Sequence, residues 1–410
     1  MQNSKNNLKF VIVGHVDHGK STLIGRLLFD TDSLPPDKIE EIKKFSKNLG
    51  RETEFAFLLD HLQEEREQGI TIDTTQTFFR TPEREYVIID APGHVEFVKN
   101  MITGASQAEA AILIIDAKEG VKEQTRRHAN ILSMLGLKQI VVVLNKMDLV
   151  NYDRGVFEKI KKEGESFLKS LNIKPNYYIP IAALRGDNIV KKSEKMGWYQ
   201  GPTVLEALNS FQERPSLEEK PLILPVQDVY KIGEKRINVG RIEAGAINQG
   251  QKIKILPGGR TTEIKSIEKF QESPTKASAG ENIGFTSQDA LFIERGSVIC
   301  EPGKEPVSAN NFEARIFWMA KEPVSEGETI ILKCATQEVA TKIVEIKKRI
   351  DSSNLKVIEE NAKKLENLDA GEVILQTKKQ IAITKFADIQ ELGRFVLMKN
   401  ENICAGGIIV

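Results

Sequence analysis

Three short clusters in the first half of the sequence carry the residue types needed to grip and cleave a phosphoanhydride. The first, Gly14-His15-Val16-Asp17-His18-Gly19-Lys20-Ser21 followed by Thr22, combines two glycines, a lysine and two hydroxyls. Glycines let a loop turn its N–H groups inward around a triphosphate. Lys20 adds a point charge at the β/γ oxygens, and Ser21 offers a hydroxyl to Mg²⁺. The second cluster is Asp90-Ala91-Pro92-Gly93-His94. Asp90 can hold Mg²⁺ through a water, and no side chain at Gly93 obstructs its N–H from a γ-phosphate. The third is Asn145-Lys146-Met147-Asp148. A carboxylate there accepts from both N1–H and the exocyclic amine of guanine, and adenine would leave it unpaired, so Asp148 is the base selector. Together, in this order, the clusters point to GTP or GDP with Mg²⁺.

Such clusters need a scaffold that presents them on one edge. Phe10-Val11-Ile12-Val13 reads as a buried strand before the first cluster, and Leu23, Ile24, Leu27 and Leu28 mark one face of a helix after it. The apolar runs Tyr86–Ile89, Ala111–Ile115, Ile140–Leu144 and Tyr178–Ile181 alternate with helical patterns. Strands buried on both faces predict an α/β domain with a parallel-rich, doubly wound sheet, and ligands bind at the carboxyl ends of such strands. Thr203 with Glu206 forms a capping-box pattern opening a last helix, whose apolar face is Val204, Leu205, Leu208 and Phe211. Arg214 to Pro221 is polar and proline-bounded, as a linker is.

From Leu222 the period of the pattern drops to two. Lys252–Leu256, Thr262–Ile267, Thr329–Lys333, Val339–Ile346 and the final Ile408-Ile409-Val410 read as strands between turns. Two closed antiparallel β-barrels are the simplest architecture for them. The expected domains are 1–213, a nucleotide-binding domain, then barrels at 221–306 and 309–410. All five histidines (His15, His18, His61, His94 and His128) precede the barrels, whose expected role is therefore docking or regulation rather than acid–base chemistry.

Composition sets wider bounds. The 410 residues are 40% hydrophobic and 28% charged, which is usual for a globular protein and too long a chain for one core. No apolar run is long enough to span a bilayer and the N-terminus is polar, so the expected location is cytoplasmic with no membrane partner. Lysine plus arginine (58) balances aspartate plus glutamate (58), giving no bulk attraction for nucleic acid. Cys300, Cys334 and Cys404 lack metal-ligand spacing and read as buried small hydrophobes. Glu123 to His128 reads as a polar helix surface, and the charge run between Leu34 and Arg66 as a solvated face.

The ordered clusters resemble the translation-factor class of GTPases over essentially the whole chain. Through that resemblance Arg66 to Asp73 corresponds to a first switch, with Thr71 joining the Mg²⁺ shell beside Ser21 and Asp90. His94 corresponds to the residue that orients the attacking water, restrained by Val16, and with Lys20 it makes up the expected catalytic pair. The family usually has serine at position 182, steadying the selector carboxylate, whereas this chain has Ala182. Backbone N–H groups of Ala183 and Leu184 are expected at guanine O6. The long insert between Leu34 and Arg66 resembles elongation factor 1-alpha and its sulfate-assimilation relatives more than bacterial elongation factor Tu.

Within that class, Phe55 to Asp60, Glu65 to Asp73, Glu123 to His128, Asn145 to Tyr152, Glu322-Pro323, Lys347 to Asp351 and Leu368 to Val373 look similar to the large, GTP-hydrolysing subunit of bacterial sulfate adenylyltransferase. That resemblance implies a GTPase subunit of a nucleotidyltransferase. GTP hydrolysis would be coupled to formation of adenosine 5'-phosphosulfate from ATP and sulfate on a separate small catalytic subunit, the expected partner in a hetero-oligomer. His15 and His18 depart from it, since that subunit usually carries Ser and Asp there. These two residues, with Asn100 to Ala105, favour the alternative, an elongation-factor-like GTPase delivering aminoacyl-tRNA. A free-standing regulatory GTPase is the fallback.

Overall fold

The computed structural model describes residues 7–34, 76–90, 108–212, 217–233, 235–269 and 272–410. The chain divides into two compact units, Met1–Glu213 and Arg214–Val410.

In the first unit the described strands are β1 (Asn7–Gly14), β2 (Gln76–Arg80), β3 (Glu85–Asp90), β4 (Ala110–Asp116), β5 (Gln139–Asn145) and β6 (Tyr177–Pro180). They form a six-stranded sheet in the order β2-β3-β1-β4-β5-β6. Only the β2–β3 pairing is antiparallel, and β3, β1, β4, β5 and β6 run parallel. Every residue of β4 is buried, as are Phe10 to Val13 of β1 and Ile140 to Leu144 of β5. Burial on both faces needs a covering layer on each side, and the helices between and after the strands supply it. These are α1 (Lys20–Asp30), α2 (Glu123–Met134), α3 (Arg154–Ser170) and α4 (Val204–Asn209).

Each helix is placed by its own sequence. α1 buries Leu23, Ile24, Leu27 and Leu28 against the sheet core. Asp153 caps α3 by accepting the Val156 N–H at 2.9 Å. The Thr203–Glu206 capping box forms at α4, the Thr203 hydroxyl accepting from the Glu206 N–H and the Glu206 carboxylate from the Thr203 N–H. α2 departs from the expected polar surface. Gln124, Thr125 and His128 are buried, because this helix turns the face carrying them, together with Ala129 and Leu132, inward beside β1 and β4. Only part of the run is solvated.

The second unit holds two all-β modules. A closed barrel takes strands Ile223–Ile232, Lys235–Arg241, Lys252–Leu256, Arg260–Glu268, Asn282–Ser287 and Val298–Cys300. A seven-stranded antiparallel sheet follows, closed by pairing of Thr329–Cys334 with Gln337–Asp351. Its strand Val307–Trp318 starts ahead of the expected boundary at 309. Part of the expected linker is ordered, with Leu217–Glu219 forming a 3₁₀ turn whose Leu217 carbonyl accepts from the Gly245 N–H at 2.7 Å. The modules share an apolar seam of Ile223, Ala244, Leu256, Val298 and Cys300 with Ala382, Ile389 and Leu392, all buried, and Leu217 packs against it. All three cysteines are buried and none is disulfide-bonded. Among the described residues no helix is long and apolar enough to cross a membrane.

Candidate functional site

The five parallel strands end at Gly14, Asp90, Asp116, Asn145 and Pro180, so their carboxyl ends line one edge of the sheet. The loop from Gly14 to Gly19 leaves β1 there and enters α1. Lys20 Nζ donates to the carbonyls of Gly14 and His15, both at 3.0 Å, and so curls the loop back on itself. Gly19 sits at φ +90°, and a Cβ there would collide with the side-chain amide of Asn145. A Cβ at Gly14 would collide with Ile114. Both glycines are therefore required by space, and Gly19 by backbone conformation as well. No acidic residue and no side-chain cap occupy the first turn of α1, where Ser21 and Thr22 lie. Its N–H groups and the positive end of its dipole remain available to an anion.

Asp90 faces this lysine. Burial pushes the Asp90 carboxyl above the usual range and the Lys20 charge opposes the shift. Burial likewise lowers the Lys20 ammonium, with Asp90 and Asp17 opposing. These two half-buried opposite charges suit a site completed by polyanion and cation together. The Ser21 hydroxyl and Asp90 carboxylate are hard oxygen donors that fit Mg²⁺. Among the described residues no group of three His, Cys, Asp or Glu could hold a metal alone, so phosphate oxygens and water would complete the shell. Thr71, Gly93 and His94 lie outside the described residues, as do Arg66 to Asp73 and Asn100 to Ala105.

On the base side, Asn145 joins two loops. Its Nδ2 donates to the His18 carbonyl at 2.8 Å and its Oδ1 accepts the Ala183 N–H at 2.9 Å. The Ala183 N–H, expected at guanine O6, donates here to the Asn145 oxygen. Ala182 is buried, and its carbonyl accepts from the N–H groups of Arg185, Gly186 and Asp187 at 3.0, 2.9 and 3.3 Å. Asp148 is half-buried on a 3₁₀ turn, Met147–Val150, tied just past the end of β6 through the Met147 N–H and the Ile181 carbonyl at 3.1 Å.

The sequence reading passed over Asp116. Its carboxylate accepts the Lys118 N–H at 2.7 Å and pairs with Lys146 Nζ at 2.8 Å. Burial opposes ionisation of Asp116, but Lys146 and the Lys118 N–H outweigh it and hold the carboxyl below the usual range. His18 Nδ1 lies 3.3 Å from both the Ile114 carbonyl and the Asp116 N–H, donating to the first in one tautomer and accepting from the second in the other. The phosphate loop and the base-side turn are thus wired together behind the site. The available signal was an acidic residue closing an apolar run, the same pattern that singled out Asp90.

Comparison with known proteins agrees with this geometry. The family described as "Elongation factor Tu GTP binding domain" matches residues 5–214, "Elongation factor Tu domain 2" matches 236–300, and "GTP-eEF1A C-terminal domain-like" matches 311–410. Elongation factor 1-alpha of Thermococcus gammatolerans is 41% identical over 423 residues, spanning 100% of this chain and 99% of the relative. The Methanocaldococcus jannaschii protein of the same name is 41% identical over 421 residues, spanning 100% and 98%. The solved structure of sup35 complexed with GDP aligns with 99% of this chain and 94% of that chain at 24% identity and a TM-score of 0.46.

These relatives overturn the expected sulfate adenylyltransferase assignment and, with it, the small catalytic subunit as partner. The misleading stretches have structural uses. Glu123 to His128 packs α2, Asn145 to Tyr152 builds the base-side turn, and in the last module Arg349 pairs with Asp369 at 2.6 Å and Glu366 at 2.7 Å. Residues that hold a shared fold together do not discriminate between enzymes that share it.

Proposed function

Because this chain belongs to the elongation factor 1-alpha family of GTPases, we propose that it works in the cytoplasm as a translational GTPase that carries aminoacyl-tRNA in its GTP form. The observation that carries the reading is the full-length match to proteins named elongation factor 1-alpha, at 41% identity across all three matched regions. His15 and His18, the two loop residues that departed from the sulfate enzyme, agree with it.

On this reading the Gly14–Thr22 loop cradles the phosphates, and Lys20 exchanges its bonds to the Gly14 and His15 carbonyls for β/γ oxygens as a triphosphate enters. Ser21, Asp90 and Thr71 would hold Mg²⁺, which would neutralise phosphate charge. Gly93 meets the γ-phosphate, and His94 positions the attacking water. Phosphoryl transfer depends mainly on such positioning and charge compensation. Asn145 braces the two loops, Lys146 stays paired to Asp116, Asp148 selects guanine, and Leu184 supplies an N–H to its oxygen. Hydrolysis withdraws the γ-phosphate contacts of Thr71 and Gly93, and the GTP-specific conformation with them.

Filter binding with charged tRNA tests the reading. Retention of aminoacyl-tRNA by the GTP form, with at least about tenfold weaker retention by the GDP form, is the expected result. Equal failure of both forms to retain charged tRNA, in a chain that binds GTP, would remove the delivery role.

A further inference from the structure

The base-side site rests on a residue to which none of the three clusters assigns a role. Four positions after Asp148, Tyr152 has φ +56°, directly following Asn151 at φ +54°. Asn adopts this left-handed conformation readily, whereas for a bulky aromatic residue it is a genuine outlier, sustained only where surrounding contacts over-determine it.

Four contacts do so. The Tyr152 N–H donates to the Met147 carbonyl at 2.8 Å, closing the turn that carries Asp148. Trp198 Nε1 donates to the Tyr152 carbonyl at 3.1 Å. The Tyr152 hydroxyl donates to Asp187 Oδ2 at 3.1 Å and accepts from Lys195 Nζ at 3.1 Å, with the ammonium also 5.0 Å from the centre of the Tyr152 ring. Asp187 belongs to the opposite wall. Its carboxylate accepts from Ser193 Oγ at 2.7 Å, and its backbone pairs in both directions with Ala182, each bond 3.3 Å.

Tyr152 therefore spans both halves of the guanine side, with its backbone on the Asp148 turn and its hydroxyl on the Ala182–Asp187 loop. Ala182 has no hydroxyl of its own to steady the selector. We propose that Tyr152, held by Asp187 and Lys195, is the positioning residue that sets the Asp148 carboxylate against the guanine edge in place of a side chain at position 182. This assignment rests on the reading of the chain as a guanine-nucleotide-binding GTPase.

Inosine nucleotides supply the test, because hypoxanthine keeps N1–H and the 6-oxygen but lacks the exocyclic amine that makes the second bond to Asp148. Affinities for GTP and ITP are measured by titration calorimetry on the full chain and on Tyr152→Phe, which keeps the ring and loses the hydroxyl. The expected outcome is a roughly tenfold weaker Kd for GTP and a smaller, about threefold, weakening for ITP, which keeps only the N1–H bond to Asp148, so that discrimination between the two narrows. Lys195→Met is the second variant, its side chain being 55% exposed so that folding is undisturbed. It should shift GTP affinity in the same sense by about threefold. Equal weakening of GTP and ITP would reduce Tyr152 to a structural residue and overturn the assignment, as would unchanged affinity for both. If the unsubstituted chain binds neither nucleotide, the GTPase reading itself fails, and that result is distinct from either of these.

Discussion

Asn145 donates its side-chain amide to the carbonyl of His18 across 2.8 Å, a bond between residues 127 positions apart. One amide thereby fixes the distance between the phosphate loop and the base-side loop, since its oxygen accepts from Ala183 at the same time. This side chain helps hold the first cluster in register with the third, beside the link through His18, Asp116 and Lys146.

Truncating it tests that role. Asn145→Ala removes two buried hydrogen bonds and leaves the Ala183 N–H unsatisfied, a loss of about 1.5 to 3 kcal/mol. GTP and GDP affinity should fall together by roughly 10- to 100-fold in calorimetry. Loss confined to GTP would contradict a brace that acts on both nucleotides.

Gly19→Ala strikes the same contact from the other side. The new methyl group would meet the Asn145 amide, in a backbone conformation that costs an L-residue about 1–2 kcal/mol. Nucleotide uptake should drop by at least about 100-fold, and the thermal midpoint of the nucleotide-free chain should fall. An unaffected Kd would show that the loop has another way to fold.

Acid should weaken the first unit through His128. Among the described residues neither of its buried ring nitrogens has a hydrogen-bond partner, and burial lowers its pKa from 6.5 to about 3, with Lys20 and His15 adding to the shift. At pH 7 the histidine is neutral when folded and mostly neutral when unfolded, so it contributes little. Below about pH 6.5 the unfolded chain takes up a proton that the folded chain refuses, so stability declines down to about pH 3. The loss is about 2 kcal/mol at pH 5. His128→Leu should keep that stability, and thermal melts at pH 5 and pH 7 on both chains measure the difference. Parallel acid sensitivity in the variant would assign the effect to other groups.

Position 182 gives a gain-of-binding prediction. Ala182→Ser would restore a hydroxyl beside the selector turn and should tighten GTP about two- to fivefold, the worth of one ordinary hydrogen bond. Unchanged affinity would mean that the existing supports already hold Asp148 fully.

Much of this architecture was legible because its signals are local. The apolar runs of β3, β4 and β5, the Thr203–Glu206 cap and the switch to a period of two at Leu222 follow from side-chain burial and turn chemistry within a few residues. What escaped needed long-range contacts. Gln124, Thr125 and His128 look solvated until α2 is laid beside β1 and β4. Asp116 gains a role only when β4 and β5 bring Lys146 to it. Tyr152 looks like an ordinary loop residue until its positive φ and the distant Asp187 are known. The choice of subgroup went wrong for a related reason, since motifs such as Lys347 to Asp351 and Leu368 to Val373 are fixed by ion pairs like Arg349 with Asp369.

The apolar seam between the two β modules also has mechanical weight. Eight buried side chains pack together across the joint, five from the first module and three from the second, so separating the modules would expose hydrocarbon to water there. They should therefore tumble, melt and pivot as a single lever arm, with any bending of the chain arising elsewhere.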